Sequence, residues 1–91
     1  MNDARRKAIT ALIGELEELK AKVEDVKSQA DQLKDEEQDY RDAMPESFAQ
    51  GEKGEKADEA INKLEEADSK LDEVISAIDD AVSELDEAKS V

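Results

Sequence analysis

The sequence predicts an all-α protein: an antiparallel two-helix coiled-coil hairpin that self-associates into a helical bundle. Three observations carry this expectation. Apolar residues recur at alternating spacings of three and four in two long segments, a breaker-rich stretch separates the segments, and the composition is too thin for a globular core. Of 91 residues only 37% are hydrophobic, with one Tyr, one Phe and no Trp. A chain of this length and composition cannot fill a thick interior, which leaves a thin helical seam. The 44% charged residues would suit disorder, but a disordered chain lacks periodic apolar positions, and here they run almost end to end.

The first segment opens with Asn2 or Asp3 as a helix cap and is expected to run from about residue 3 to about residue 44. Its apolar series is Ile9, Leu12, Leu16, Leu19, Val23, Val26, Ala30 and Leu33, continued by Glu37, Tyr40 and Met44. That is a heptad seam with Ile9 at position a and Leu12 at position d. Gly14 falls at an exposed f position, where it costs roughly 1 kcal/mol relative to Ala. Pro45 drives the residue before it out of the α region and ends the segment.

The loop, about residues 45–55, holds the only Pro and two of the three Gly. A connector this short and this rich in breakers fits a reversal, and a short helical turn fits within it from Pro45 to Gln50. Phe48, with Tyr40 and Met44, is expected to close the hairpin tip by covering the last seam layer. Pro45 completes that tip. The competing arrangement is two continuous helices assembled in parallel with another chain, with the loop as a kink.

The second helix, about residues 56–89, reads as five uninterrupted heptads from Ala57. Position d is Ala57, Leu64, Leu71, Ile78 and Leu85; position a is Ile61, Asp68, Ile75, Val82 and Lys89. A strict seven-residue period imposes a left-handed supercoil. Folding about the loop pairs Tyr40 with Ile61, Leu33 with Asp68, Ala30 with Leu71, Val23 with Ile78 and Leu16 with Leu85. The same register sets Arg5, Arg6 and Lys7 beside the far end of the second helix, where Asp79, Asp80, Glu84, Asp86 and Glu87 lie.

The rows flanking the second seam suggest two interaction surfaces. Position g is always small or apolar: Ala60, Ala67, Val74, Ala81 and Ala88. This widens the apolar stripe beyond what one partner helix needs and points to self-association, a dimer first, although Ala at g also serves simply as a good helix former. Positions e and f are acidic in every heptad: Asp58, Glu59, Glu65, Glu66, Asp72, Glu73, Asp79, Asp80, Asp86 and Glu87. This ridge places one carboxylate per ~4.5 Å of helix, against ~3.4 Å per phosphate of a DNA strand, so a DNA-mimic surface for a basic protein is numerically feasible. Such rows also serve solubility and discourage promiscuous pairing.

Glu37 and Asp68 interrupt the seam toward the loop end. Two nearby carboxylates could raise a pKa, bind a cation or specify register; the plainer reading is that they reach solvent or meet Lys34, Arg41 or Lys63. No calcium-loop pattern is present, and no metal or cofactor is expected. The chain has no Cys and no His, so thiolate and imidazole nucleophiles, the usual zinc ligands and the commonest neutral-pH base are absent. Ser69, Ser76, Ser83 and Ser90 recur at b without an accompanying base, and no enzymatic activity is expected. A net charge of −14 repels nucleic acid and anionic membrane, leaving basic protein surfaces as the compatible partners. No apolar run reaches the ~18 residues of a membrane span and no signal-peptide core follows Met1, so a cytoplasmic location is expected.

At EEQDYRDAMPES (residues 36–47), followed by the Gly51-containing turn and EAINKLEEA (residues 59–67), the sequence resembles small acidic proteins encoded by bacteriophages and prophages. Their pattern is an EEQ-aromatic segment, a Met-Pro-Glu turn and a repetitive Glu/Ala helix. The family carries no settled activity to transfer. The resemblance implies a phage or mobile-element origin and production in a bacterial cytoplasm; taken with the acidic ridge, it leads to the expectation that the hairpin binds, and inhibits, a host defence or nucleic-acid-binding protein. The alternative from a different class is a structural or assembly unit whose acid only keeps it soluble.

Overall fold

A computed structural model describes residues 1–91 and is all-helical, with no strand. Helix α1 spans Asp3–Asp42, the four-residue α2 spans Glu46–Ala49, and α3 spans Glu52–Lys89. The long helices begin and end close to where the heptads do. The expected loop is shorter than its composition suggests, because Glu52 to Glu55 already belong to α3. The chain divides into two compact units, one of Met1–Asp25 with Leu71–Val91 and the other of Val26–Lys70.

In the unit of the termini, α1 starts as its sequence indicates. The Asn2 side-chain oxygen accepts a hydrogen bond from the Arg5 N–H at 2.8 Å, satisfying one of the donors that a helix start leaves open. The segments of α1 and α3 run in opposite directions: Arg6 Nε donates to the Lys89 carbonyl, and Lys20 Nζ meets Asp79 Oδ1 at 2.8 Å. The expected placement of the basic N-terminal residues beside the far end of α3 holds for Arg6, although its contact there is a backbone carbonyl rather than an acid. Arg6 reaches the backbone at the end of α3, and the Met1 ammonium donates to the Val91 carbonyl at 3.1 Å. Both place positive charge where the C-terminal carbonyls of α3 carry the negative end of the helix dipole.

In the unit of the loop the directions are again opposed, since Arg41 Nε meets Asp58 Oδ1 at 2.9 Å and Lys27 Nζ meets Asp68 Oδ1 at 3.2 Å. Pro45, with φ −57° and ψ 147°, opens α2, and its carbonyl accepts from both Phe48 and Ala49 N–H. The loop glycines are not needed for a left-handed backbone, since no residue has positive φ. Gly54 answers a different demand. It is buried, and a Cβ there would collide with the carbonyl oxygen of Ala49, so only a residue without a side chain lets the start of α3 come this close to α2. The tip is therefore closed by Gly54, Ala57 and Ile61 of α3, all buried. Phe48 stands beside Tyr40, Met44 and Pro45 at the loop but is 49% exposed, less enclosed than these three residues of α3.

Candidate functional site

The heptad rows sort differently on the two long helices. On α3 every a and d position is buried or half-buried, with Ala57, Ile61 and Ile78 the most enclosed apolar side chains of the chain. On α1 the a row is half-buried as expected: Ile9, Leu16 and Val23 in the unit of the termini, Ala30 and Glu37 in the unit of the loop. Its d row is not. Leu12 and Leu19 in the first unit, and Val26, Leu33 and Tyr40 in the second, are 47–54% exposed.

The place of the d row is taken by the e row: Arg6, Ile13 and Lys20 in one unit, Lys27, Lys34 and Arg41 in the other, all half-buried. The physical reason lies in the charges. Around a helix, e and d flank a on opposite sides, so turning α1 toward e brings its basic residues over α3 and carries d away. There Lys20 finds Asp79 and Arg41 finds Asp58, both at e of α3, while Lys27 finds Asp68 at a. Long basic side chains also lay their methylene stems across the seam while the charge stays near water. In opposed helices e faces e, so the two e–e pairs and the Lys27–Asp68 pair all lie on the side toward which α1 is turned.

The ion pairs show in the protonation of these groups. Lys20 is raised above its ordinary value of 10.5, first by its hydrogen bond to Asp79. Lys27 sits between two carboxylates. It is hydrogen-bonded to Asp31 at 3.3 Å and lies 3.2 Å from Asp68 Oδ1, an ion-pair contact in which that buried oxygen receives no well-aligned hydrogen bond. Its ammonium is raised by Asp68 first and Asp31 second. The Asp31 carboxyl is held below its ordinary 3.8, first by a side-chain hydrogen bond with Asp68 and then by Lys27, with desolvation opposing both. Asp68 thus meets Lys27, rather than the Lys34, Arg41 or Lys63 that its position in the sequence suggested. A polar layer of this kind contributes little net stability but is satisfied in one register only.

Of the acidic ridge, Asp58 and Asp79 are engaged by α1, and Asp86 and Glu66 lie 3.9 Å and 3.3 Å from Lys89 and Lys63. The f row, Glu59, Glu66, Glu73, Asp80 and Glu87, faces outward, as do Glu65 and Asp72. Of the small g row, Ala67, Val74 and Ala81 are exposed, whereas Ala60 and Ala88 are half-buried. Tyr40, Ala43, Met44, Pro45, Phe48 and Lys53 line an open hollow of about 240 Å³ at the loop, with Lys53 Nζ 4.9 Å above the Phe48 ring. No cluster of three metal-ligating side chains occurs, and no helix is long and apolar enough to cross a membrane.

The exposed α1 row escaped sequence reasoning because Leu12, Leu19, Val26, Leu33 and Tyr40 look like any d row. The signal that could have found it is the basic e row beside it, matched to an acidic e row on α3. No protein-family model matches the sequence, and no curated protein or solved structure matches it either.

Proposed function

We propose that this chain is a non-enzymatic helical hairpin, its long helices joined along an antiparallel coiled-coil seam, whose activity is to bind protein, and first of all a second copy of itself in a helical bundle. The observation that carries this reading is the exposed d row of α1. Fully burying a Leu or Val contributes about 1.5–3 kcal/mol, and these side chains, about half exposed, leave roughly half of that unrealised until another surface covers them. Five such residues at heptad spacing suit a helix as the covering surface.

A second reading rests on the outward f row of α3. Five carboxylates one heptad apart, on a chain of net charge −14, suit a basic protein surface, such as that of a host protein the chain would inhibit. It ranks second because Asp58 and Asp79 of the e row are already engaged within the chain.

One capture experiment separates the two. Tagged chain is mixed with untagged chain and bacterial lysate, and bound protein is identified at low and high salt. Recovery of the untagged copy at both salts is expected, since apolar burial resists screening. Recovery of basic proteins alone, lost at high salt, would discard self-association and support the acidic face.

A further inference from the structure

Resting on the self-association just proposed, the geometry points to how the second copy sits: two hairpins pack face to face about a two-fold axis parallel to the helices, so that α1 of each lies against α3 of the other and the two loop units meet.

The argument can be made within the loop unit alone. The Arg41–Asp58 pair marks one side of the α1–α3 contact as the e side. The d row of α1 (Val26, Leu33, Tyr40) and the g row of α3 (Ala60, Ala67) therefore share the opposite side. Together they form one apolar face, and Phe48 extends it at the loop. Its two borders carry opposite charge. On the α1 border, Glu36 and Asp39 are the charged residues of rows g and c. On the α3 border, row c supplies Lys56, Lys63 and Lys70, three of the five lysines that follow Pro45. Lys56 and Lys63 are more than 70% exposed and reach only acids of their own helix, Glu52 and Glu66.

An acidic border and a basic border make the face of the loop unit complementary to the same face of a second copy when α1 opposes α3. If α1 opposes α3 of the second copy, Glu36 and Asp39 meet Lys56 and Lys63. If the copy is turned so that α1 opposes α1, its direction also reverses, the loop units no longer meet, and Glu36 and Asp39 lose those lysines as partners. In the unit of the termini the apolar face repeats with Leu12 and Leu19 of α1 and Val74 and Ala81 of α3, but there both borders carry acid, Glu15 and Glu18 on α1 and Glu84 on α3, so the charge complementarity is confined to the loop unit. The loop unit therefore sets the orientation. A small-residue row then has a function: Ala60 and Ala67 let the large d residues of the facing α1 approach closely.

The test uses two variants and one label. Lys56→Glu with Lys63→Glu, and separately Glu36→Lys with Asp39→Lys, each oppose like charges across the dimer. Each is expected to weaken its own homodimer about tenfold or more, from several exposed pairs of modest strength. Mixed one to one, the two variants restore opposite charges at both contacts, and a heterodimer as tight as the wild-type dimer is expected in sedimentation. A charge effect confined within one hairpin would not be rescued by mixing. The wild-type background has no Cys, so Asp42→Cys, at an outward f position, accepts a single spin label. Pulsed dipolar spectroscopy should then give roughly 20–35 Å between copies, two to three helix diameters. A dimer with labels about 60 Å apart, the length of α1, or with no response to charge reversal and mixing, overturns this seating and leaves self-association standing. A wild-type chain that stays monomeric at high micromolar concentration overturns the self-association itself.

Discussion

The two long helices carry the same kind of heptad repeat and use it differently. Helix α3 buries or half-buries both of its rows, with Ile61 and Ile78 each 7% exposed; α1 half-buries its a row and presents Leu33, 54% exposed, to the outside. The difference follows from what flanks each seam. On α3 the e row is acidic and works well beside either choice of neighbour, whereas on α1 the e row is basic and gains only by facing those acids. An apolar residue at a seam position is therefore a candidate for burial, and the charge row beside it decides which seam residues are used within the chain and which are left for another.

The sharpest way to break this comparison is to truncate one residue of each kind. Ile61→Ala or Ile78→Ala should cost about 2–4 kcal/mol in urea unfolding, because each removes enclosed apolar volume. Leu33→Ala should cost under about 1 kcal/mol at a concentration where the chain is monomeric, and should lower the unfolding midpoint further only where copies associate. Equal losses at Leu33 and Ile61 in dilute solution would mean that α1 buries its d row after all.

The glycines provide the next contrast. Gly54→Ala should destabilise by about 1–3 kcal/mol, since its methyl group meets the Ala49 backbone, which cannot swing aside as a side chain would. Gly14→Ala should stabilise by about 1 kcal/mol, because nothing lies within 4 Å of the added carbon and α1 gains helix propensity. Thermal melts followed by far-ultraviolet circular dichroism read both. A stabilising Gly54→Ala would show that α2 and the start of α3 do not approach closely.

The smallest effect is the pH dependence of the ion pairs across the e side. Lys20 and Lys27 have raised values, so their contribution is complete below 10.5 and fades as pH climbs through those raised values. Asp31 has a lowered value, so its contribution is complete above 3.8 and fades as pH falls through the lowered one. From these three groups, stability should be flat between those limits and fall on both sides. In Lys20→Met the alkaline fall should be shallower than in wild type. An unchanged alkaline limb in urea titrations would show that Lys20 gains nothing from Asp79.

Much of the architecture was legible residue by residue. The a and d rows of α3, the a row of α1, the cap at Asn2, the helical turn after Pro45 and the end of α3 all follow from local rules that need no partner: a period, a capping side chain, a ring that fixes φ. The candidate surfaces were legible only in part. The g row of α3 read as an apolar flank and lies mostly exposed, but it accounts for half of the apolar face, and the d row of α1 that completes it read as seam. Phe48 read as the plug of the tip because it is the lone large side chain there. More enclosed there is Gly54, whose contribution is the absence of a side chain, which composition registers merely as a breaker.

By itself, then, the sequence determined that the chain is helical, which stretches its two long helices occupy to within a turn, and which rows are apolar, acidic or small, because these depend on neighbours within a turn or two. Only the tertiary structure decided how far α1 turns about its own axis. That rotation balances apolar burial at d against ion pairs and covering stems at e, and the balance exists only once the acids of α3, distant in sequence, stand opposite.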